Sequence, residues 1–400
     1  MAEIKNRVPK RRFKEFQDAG EWEERKLGEI SNSYSGGTPS VGNSSFYGAD
    51  IPFIRSGEIH SSSTEIFLTN EGLNNSSAKF VHKGDILYAL YGATSGEVGI
   101  SKISGAINQA ILAIQPIQNY DTYFISQWLR KEKNNIVGTS LQGGQGNLSG
   151  SIVKDLSINF PKYNEQQKIG NFFQNLDSQI TLQQRKLEKI KAMKKAYLSE
   201  MFPAAGQTKP KRRFKGFTED WVEKKLGEVV EFNPNSDIPN EFEYVDLESV
   251  VGTELIAHRT ISKSNAPSRA QRLAKQGDLF YQTVRPYQKN NYLFDKNCKN
   301  YVFSTGYAQM RPKIEGYFLL SYVQTDSFVD HIMSRCTGTS YPAISSSDME
   351  NMVLSIPIEK EEQLKISSFL KGLDKQITLH QKKLSKLQNL KKAYLNEMFI

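Results

Sequence analysis

The chain contains nearly the same segment twice, and this duplication constrains its fold more than any other feature. Residues 177–202 (DSQITLQQRKLEKIKAMKKAYLSEMF) align without a gap to residues 374–399 (DKQITLHQKKLSKLQNLKKAYLNEMF), and about two thirds of the positions are identical. A second match lies upstream, where KRRFKEF at Lys10 returns as KRRFKGF at Lys211, each followed by a Trp and by KLGE. The 400-residue chain is therefore a tandem duplication of one structural unit.

The two halves differ almost completely between these shared ends. Only short similarities remain, such as KGDILY at Lys83 and QGDLFY at Gln276. A chain of this length has enough material for two or more packed domains. We therefore predict a shared framework built from the repeated ends and two globular middle regions that vary.

The repeated C-terminal segments predict two long helices. They are rich in Leu, Lys, Gln, Glu and Ala and contain no Pro. Alternating steps of four and three residues select one stripe in each helix, and such a heptad pattern is typical of a coiled coil. Polar residues interrupt both stripes at the same places. The stripe positions are Ile169, Phe173, Leu176, Ile180, Gln183, Leu187, Ile190, Lys194, Tyr197 and Met201, then Ile366, Leu370, Leu373, Ile377, His380, Leu384, Leu387, Lys391, Tyr394 and Met398.

Two arrangements explain such helices: each could be buried against its own domain, or the two could pair within the chain. The length of the stripes and the recurrence of lysines at equivalent positions favour the pair. A two-fold relation between duplicated halves would make that pair antiparallel. We therefore predict an α+β protein with pseudo-two-fold symmetry, in which two globular mixed α/β domains are joined to two long helices that form an intrachain antiparallel coiled coil.

The repeats also predict where the domains begin and end. We expect a basic arm over 1–20, a first globular domain over 21–160, a long helix over 161–202, a linker and arm over 203–220, a second globular domain over 221–358 and a second long helix over 359–400. The KRRF sequences of the arms could bind phosphates. Their place before a Phe and a Trp in each repeat favours packing against the helices instead.

Composition points to a polyanionic partner. The chain has 52 Lys and Arg against 43 Asp and Glu, a net charge of +9, and basic proteins bind phosphate backbones by releasing counterions. A soluble basic protein without such a partner is the alternative. Neither Cys298 nor Cys336 nor the five scattered histidines have the spacing of metal ligands, so we expect no metal site. With neither a signal peptide nor a membrane-spanning run, we expect a cytoplasmic protein.

Several motifs together resemble the specificity subunit of Type I restriction-modification systems. They are the Trp and KLGE opening, SGGTPS at Ser35, YGADIPFIRSGEI at Tyr47, LYGATSGEVGI at Leu90, INQA at Ile107 and the P-x-x-x-EQ-x-x-I helix entry at Pro161. In the second half, AKQGDLFYQTVRPYQKNNYLF at Ala274 and STGYAQMRP at Ser304 resemble another variant of the same module. The resemblance covers nearly the whole chain. One mild departure is EEQL, where the second helix entry carries an extra residue.

The resemblance implies a non-catalytic subunit that directs others to DNA. In this family two target recognition domains each read one half of an asymmetric bipartite site in double-stranded DNA, and the coiled coil fixes the spacer between the halves. The helices dock two methyltransferase subunits, and motor-nuclease subunits join them for restriction. S-adenosylmethionine, ATP and Mg would be held by those partners. In keeping with this, the sequence has no GxxxxGK[ST] loop, and NPNS at Asn233 is not the motif of an amino-methyltransferase.

Loops in both middle regions are candidates for DNA contact, because Arg, Lys, Asn and Gln suit base edges and phosphates. They are GTSLQGGQGNLSG at Gly138, and VRPYQKNN and SRAQR in the second half. The predicted DNA-binding residues are Gln142, Gln145, Asn147, Arg269, Arg272, Arg285, Tyr287, Gln288, Lys289 and Asn290. The predicted partner-binding residues at the helix ends are Lys194, Lys195, Tyr197, Met201, Lys391, Lys392, Tyr394 and Met398. For any single residue, a solvated surface position is the alternative.

Two other functions explain part of the pattern. A coiled-coil adaptor whose two variable domains bind protein or RNA would account for the repeat and the helices, but not for the set of motifs. An enzyme with a site built from scattered carboxylates would have no motif to support it. Footprinting on DNA in the presence of a methyltransferase partner separates the three.

Overall fold

The chain divides into two units, each of which contains parts of both long helices. A computed structural model describes residues 7–142, 148–204, 206–338 and 340–400, without the side chains of 140–142. Unit 1 is Met1–Gln184 with Lys382–Ile400, and unit 2 is Arg185–Gln381. Each long helix therefore begins in one unit and ends in the other.

The strands of unit 1 are β1 (Glu23–Lys26), β2 (Ser31–Ser35), β3 (Tyr47–Ile54), β4 (Phe67–Leu68), β5 (Lys79–Val81), β6 (Ile86–Ala89), β7 (Val98–Ile100), β8 (Gly105–Ile107), β9 (Ile111–Pro116) and β10 (Ser157–Phe160). Its helices are α1 (Asn70–Asn74), α2 (Thr122–Gln142) and α3 (Gly150–Lys154). The first long helix, α4 (Tyr163–Glu200), begins here.

The strands of unit 2 are β11 (Val222–Lys225), β12 (Val230–Phe232), β13 (Glu241–Val245), β14 (Val250–Val251), β15 (Glu254–Leu255), β16 (Arg259–Ser262), β17 (Ala270–Leu273), β18 (Leu279–Gln282), β19 (Tyr292–Leu293), β20 (Tyr301–Ser304), β21 (Tyr307–Pro312) and β22 (Val353–Ile356). Its helices are α5 (Leu226–Val229), α6 (Gly316–Val323), α7 (Asp326–Met333) and α8 (Ser346–Glu350). The second long helix, α9 (Lys360–Met398), begins here.

Both units have the same sheet topology although their middle sequences differ. Unit 1 has the strand orders β1-β10, β2-β9-β6-β7 and β4-β3-β8-β5, and unit 2 has β11-β22, β12-β21-β18-β19 and β16-β13-β20-β17. The one parallel pair in each set is also equivalent, β3 with β8 and β13 with β20. Unit 2 adds the hairpin β14–β15 and has α6 and α7 where unit 1 has α2. The duplication therefore extends through the middle regions.

Aromatic side chains near the helix ends complete the core of each unit. In unit 1 the ring centres of Phe399, beyond the end of α9, and Phe124 are 4.9 Å apart, and Phe124 also contacts Trp22. In unit 2 Phe202, beyond the end of α4, lies 5.3 Å from Phe318, which contacts Trp221. The central strands β6 and β20 are buried along their whole length, as expected where a sheet is covered on both faces. Each core therefore includes residues from both repeats.

The two long helices run antiparallel within each unit. In unit 1 Asp177 of α4 pairs with Lys391 of α9 at 2.6 Å, and Phe172 contacts Tyr394, so residue numbers rise on one helix as they fall on the other. In unit 2 Lys194 pairs with Asp374 at 2.5 Å, and Tyr197 contacts Phe369. The contacts in the two units are equivalent, because adding 197 to the lower residue number of each pair gives its counterpart in the other repeat. The predicted antiparallel pairing is confirmed within both units.

The predicted heptad stripes match the burial of the helices. Every stripe position is buried or half-buried, whereas most other positions of α4 and α9 are exposed. Lys194 and Lys391 occupy stripe positions because each meets an aspartate of the other helix. Burial lowers the pKa of Lys391, and the hydrogen bond to Asp177 opposes this. Such polar pairs on a seam fix the register of the helices.

The two arms pack against the starts of the long helices. Arg12 donates two hydrogen bonds of 2.6 Å to the buried carboxylate of Glu165, and Arg213 does the same for Glu362 at 2.6 and 2.7 Å. The preceding arginine of each arm pairs with a glutamate at the end of the other helix. The prediction that the KRRF sequences pack against the helices is confirmed.

In the part of the chain that the structure describes, no helix is both long and apolar enough to cross a membrane.

We expect Arg12→Ala to lower the free energy of unfolding by about 3 to 5 kcal/mol, because Glu165 would stay buried without its counter-charge. Arg7→Ala is the matched control, since Arg7 pairs with Glu24 at the surface, where both side chains are 44% exposed. That loss should stay below about 1 kcal/mol. Urea unfolding followed by circular dichroism measures both. Equally small losses would contradict the structural role of the buried pair.

Candidate nucleic-acid interface

The loop VRPYQKNN joins β18 to β19, and part of it braces the loop itself. The side chain of Gln288 accepts a hydrogen bond of 2.8 Å from Gln282, and that of Asn290 accepts one of 2.8 Å from a backbone N–H of the β14–β15 hairpin. Lys289 donates to Asp326, at the start of α7, at 2.5 Å. Three of the predicted DNA-binding residues are thus engaged inside unit 2.

The other two predicted residues of this loop, Arg285 and Tyr287, are not engaged in this way. Tyr287 is 50% exposed. Arg285 has a left-handed backbone (φ 54°, ψ 55°), as does Lys289 (φ 56°) at the other end of the turn Pro286–Gln288. A residue other than glycine in this backbone conformation costs about 1 to 3 kcal/mol of folding free energy, and such residues cluster at functional sites. Among the described residues, none hydrogen-bonds to the guanidinium of Arg285.

A second segment, the loop that follows α7, lies beside this one. The backbone N–H of Arg285 donates to the carbonyl of Pro342 at 2.8 Å, and Ile344 donates to Thr283 at 3.1 Å. The ring of Tyr341, which is 64% exposed, lies 4.4 Å from the guanidinium of Arg285. Sequence reasoning missed Tyr341. The available signal was the GTS that precedes it, which repeats the GTS of the predicted loop of the first half.

Arg269 and Arg272 lie on or beside the edge strand β17. Arg269 is exposed, and the pairing of β17 with β20 is irregular between Ala270 and Arg272. Bulges of this kind are frequent next to functional sites, where they redirect a side chain. The Nε atom of Arg272 is buried without a hydrogen-bond partner in the described structure, and burial lowers the pKa of this group. Among the described residues, no carboxylate forms an ion pair with Arg272.

In unit 1 the predicted DNA-binding residues are only partly placed. Gln142 ends α2, and its side chain is not described, while Gln145 and Asn147 lie outside the described residues. Leu148, which follows them, donates to the carbonyl of Leu90 at 3.1 Å, as Ile344 does to Thr283 in unit 2. The connection between β6 and β7, which begins at Leu90, is therefore the equivalent of VRPYQKNN. Both follow the shared GD motif, which was the sequence signal for this equivalence.

The predicted partner-binding residues divide into inward and outward sets. Lys194 and Lys391 form the ion pairs between the helices, and Tyr197 and Tyr394 contact aromatic rings there, while Met201 and Met398 are buried in the cores. Lys195 and Lys392 are exposed.

Two exposed apolar residues next to these were missed from the sequence. Met193 in unit 2 is 38% exposed and Leu390 in unit 1 is 39% exposed, and they occupy equivalent positions of the repeat. Ala196 and Ala393, three residues further on, are exposed at the same face of each helix. We call the exposed residues Met193, Lys195 and Ala196, and their equivalents Leu390, Lys392 and Ala393, the outer helix faces.

Each unit is thus a mixed-sheet domain packed on paired helices, and the two domains share one topology but differ in their loops. A family model described as the Type I restriction modification DNA specificity domain matches residues 19–192 and again residues 218–389. The chain belongs to this family and carries two target recognition domains in tandem. The predicted family is confirmed, and the alternative of a protein- or RNA-binding adaptor finds no support.

Relatives and solved structures agree with this assignment. The Type I restriction enzyme MjaIX specificity subunit of Methanocaldococcus jannaschii is 24% identical over 405 residues, which is 94% of this chain and 92% of that protein. The HindI specificity subunit of Haemophilus influenzae is 26% identical over 193 residues, 45% of this chain and 41% of the relative.

Two solved structures share the fold. A crystal structure of a Type-I restriction-modification system S subunit from M. genitalium covers 98% of this chain and 99% of its own, with a TM-score of 0.65 and 15% identity. A chain from a structure of the assembly of the type I R-M system covers 94% of this chain and 97% of its own, with a TM-score of 0.52 and 17% identity. The predicted fold class is confirmed.

We expect Arg272→Met to leave the free energy of unfolding unchanged or slightly higher, because it removes an unpaired, half-buried charge. Arg311→Met is the matched control, since Arg311 makes two hydrogen bonds, of 2.8 and 3.0 Å, to the buried carboxylate of Asp278. This control should lose about 3 kcal/mol. Thermal and urea unfolding compare the two. A large loss for Arg272→Met would show that the arginine stabilises the fold.

Proposed function

We propose that each target recognition domain, one in each unit, binds one half of an asymmetric bipartite site in double-stranded DNA. The observation that carries the proposal is that one topology occurs twice with different side chains on equivalent loops. Equal frameworks with unequal loops suit a site whose two halves differ in sequence. The net charge of +9 supplies the general attraction to phosphates.

The candidates for direct contact differ between the domains. In unit 2 the exposed or unpaired residues Arg269, Arg272, Arg285 and Tyr287 are the best placed, with Gln288, Lys289 and Asn290 bracing the loop beside them. In unit 1 we retain Gln142, Gln145 and Asn147. Arginine reads guanine edges or holds phosphates, and tyrosine contacts phosphates or stacks on bases.

The function is tested by purifying the chain with a methyltransferase subunit and mapping the methylated sequences. We expect Arg285→Ala to reduce discrimination in one half-site by about 1 to 3 kcal/mol and to leave the other half unchanged. The matched control is Arg259→Ala, because Arg259 also stacks on a tyrosine of unit 2 but lies near Asp246 at 3.9 Å. Methylation without sequence preference by the unaltered complex would overturn the proposed function.

We further propose that two methyltransferase subunits dock on the outer helix faces, one on each unit. Each face presents an apolar residue, an alanine and a lysine at equivalent positions, as two identical partners require. The exposed lysines Lys195 and Lys392 would fix the orientation of the partner, because charges at the rim of an interface steer association and set how the two surfaces align. The inward Tyr197, Met201, Tyr394 and Met398 would support these faces from beneath.

We expect Met193→Glu and Leu390→Glu each to remove one methyltransferase subunit from the complex, and the double variant to remove both. A buried carboxylate in an apolar contact should weaken each site at least tenfold, which is about 1.4 kcal/mol. Native mass spectrometry of the purified complex counts the subunits. Val41→Glu is the control, because Val41 is an exposed apolar residue of unit 1 outside the helices, and this variant should still bind two methyltransferase subunits. Two bound subunits in the double variant would refute this docking surface.

The chemistry would then belong to the partners. We propose that this chain is not an enzyme, that the methyltransferase subunits hold S-adenosylmethionine, and that motor-nuclease subunits hold ATP and Mg in the restriction complex. No group of three or more His, Cys, Asp or Glu residues in the described ranges is placed to hold a metal ion. The chain would work in the cytoplasm, where its DNA lies.

A further inference from the structure

We propose that Tyr341 is a positioning residue that orients Arg285, and that this arginine reads a guanine in the half-site bound by unit 2. The inference rests on the proposed DNA-binding function and goes further, since it names the base and a second residue. Three observations support it: the constrained backbone of Arg285, the stacking of its side chain on Tyr341, and the lack of a counter-charge.

The backbone of Arg285 is fixed by two segments at once. It has positive φ, its N–H group donates to Pro342, and an antiparallel bridge joins Val284 to Ala343 next to it. Pro286 and Pro342 are both buried, so the turn and the adjacent segment are anchored below the surface. Strain of this kind persists only where the surroundings determine the conformation. The direction in which Arg285 leaves the loop is therefore set by the fold.

The side chain of Arg285 lies against an aromatic ring. Its guanidinium Cζ lies over the Tyr341 ring, 4.4 Å from the ring centre, and no described residue accepts a hydrogen bond from its N–H groups. A bidentate pair of hydrogen bonds to O6 and N7 of guanine would use these N–H groups, and it is the commonest specific contact between proteins and DNA. Stacking would leave Arg285 ready for it, with less side-chain freedom to lose on binding.

Other stacked arginines show that this arrangement is unusual in the chain. Arg11 lies over Tyr394 and pairs with Glu397, and Arg212 lies over Tyr197 and pairs with Glu200. Arg259 over Tyr244 has Asp246 at 3.9 Å. Of the stacked arginines in the described part of the chain, Arg285 is the one with no carboxylate partner.

The missing acceptor points to a ligand. Tyr341 is 64% exposed, Tyr287 is 50% exposed and Arg285 is half-buried, so this part of the loop lies at the surface of unit 2. Exposure at Tyr341 also means that packing alone does not account for an aromatic residue there. A guanine edge supplies the two acceptors that the guanidinium lacks.

The test uses the full chain purified with its methyltransferase partner. Methylation rates are measured on duplexes in which each base pair of both half-sites is changed in turn. We expect Tyr341→Ala to reduce the preference at a single G·C pair of one half-site about tenfold, because Arg285 loses its orientation. Tyr341→Phe keeps the ring and should keep the preference. Arg285→Lys should lose it at the same pair, since lysine lacks the planar fork.

The outcomes separate the two proposals. If the unaltered complex methylates a specific site but Tyr341→Ala leaves every preference unchanged, the inference is wrong and the proposed function stands. A uniform loss at all positions, or a Tyr341→Phe that behaves like Tyr341→Ala, also contradicts a positioning role. Arg259→Ala, with unchanged preferences, is the control for removing a stacked surface arginine. An unaltered complex without sequence preference overturns the proposed function itself.

Discussion

The reciprocal ion pairs between the long helices determine the rest of the fold. Lys194 and Lys391 lie on the apolar stripes, where an unpaired ammonium group would be costly. In a parallel, in-register pair the two lysines would face one another, and so would Asp177 and Asp374. In the antiparallel register each lysine meets an aspartate, at 2.5 Å in unit 2 and at 2.6 Å in unit 1. One charge pattern, present twice, therefore specifies direction and register together.

The antiparallel register has a consequence for the cores. It brings the end of each helix to the domain of the other repeat, so that Phe399 packs with Phe124 and Phe202 packs with Phe318. The arms follow the same scheme, since Arg12 and Arg213 neutralise buried glutamates at the helix starts. Neither repeat completes its hydrophobic core alone. The framework therefore gains its stability from contacts between repeats, which leaves the middle regions free to diverge on their surfaces.

The framework could be predicted from the sequence because periodic spacing and an internal repeat are both visible in the sequence itself. Heptad spacing identifies the stripe, and duplication implies the two-fold relation that makes the helices antiparallel. The common topology of the middle regions could not be predicted, because their side chains have diverged and leave no repeat to align.

Contacts between residues that are distant in the chain could not be predicted either. Tyr341, for example, is 56 residues from Arg285. Gln288, Lys289 and Asn290 illustrate a further limit, since the residue types that read bases also brace loops. The inward position of Met201 and Met398, by contrast, was already implied by their place on the stripe.

Stability and recognition are divided between different parts of each unit. In the framework, arginines such as Arg12 and Arg213 meet buried carboxylates, and their charges are compensated. On the loops and the edge strand of unit 2, Arg285 adopts a strained backbone and Arg272 has a buried Nε without a partner. Each of these features costs folding free energy, and a fold selected for stability alone would not retain it. In the proposed complex with DNA, phosphates and base edges would supply to Arg272 and Arg285 the acceptors that carboxylates supply to Arg12 and Arg213 in the framework.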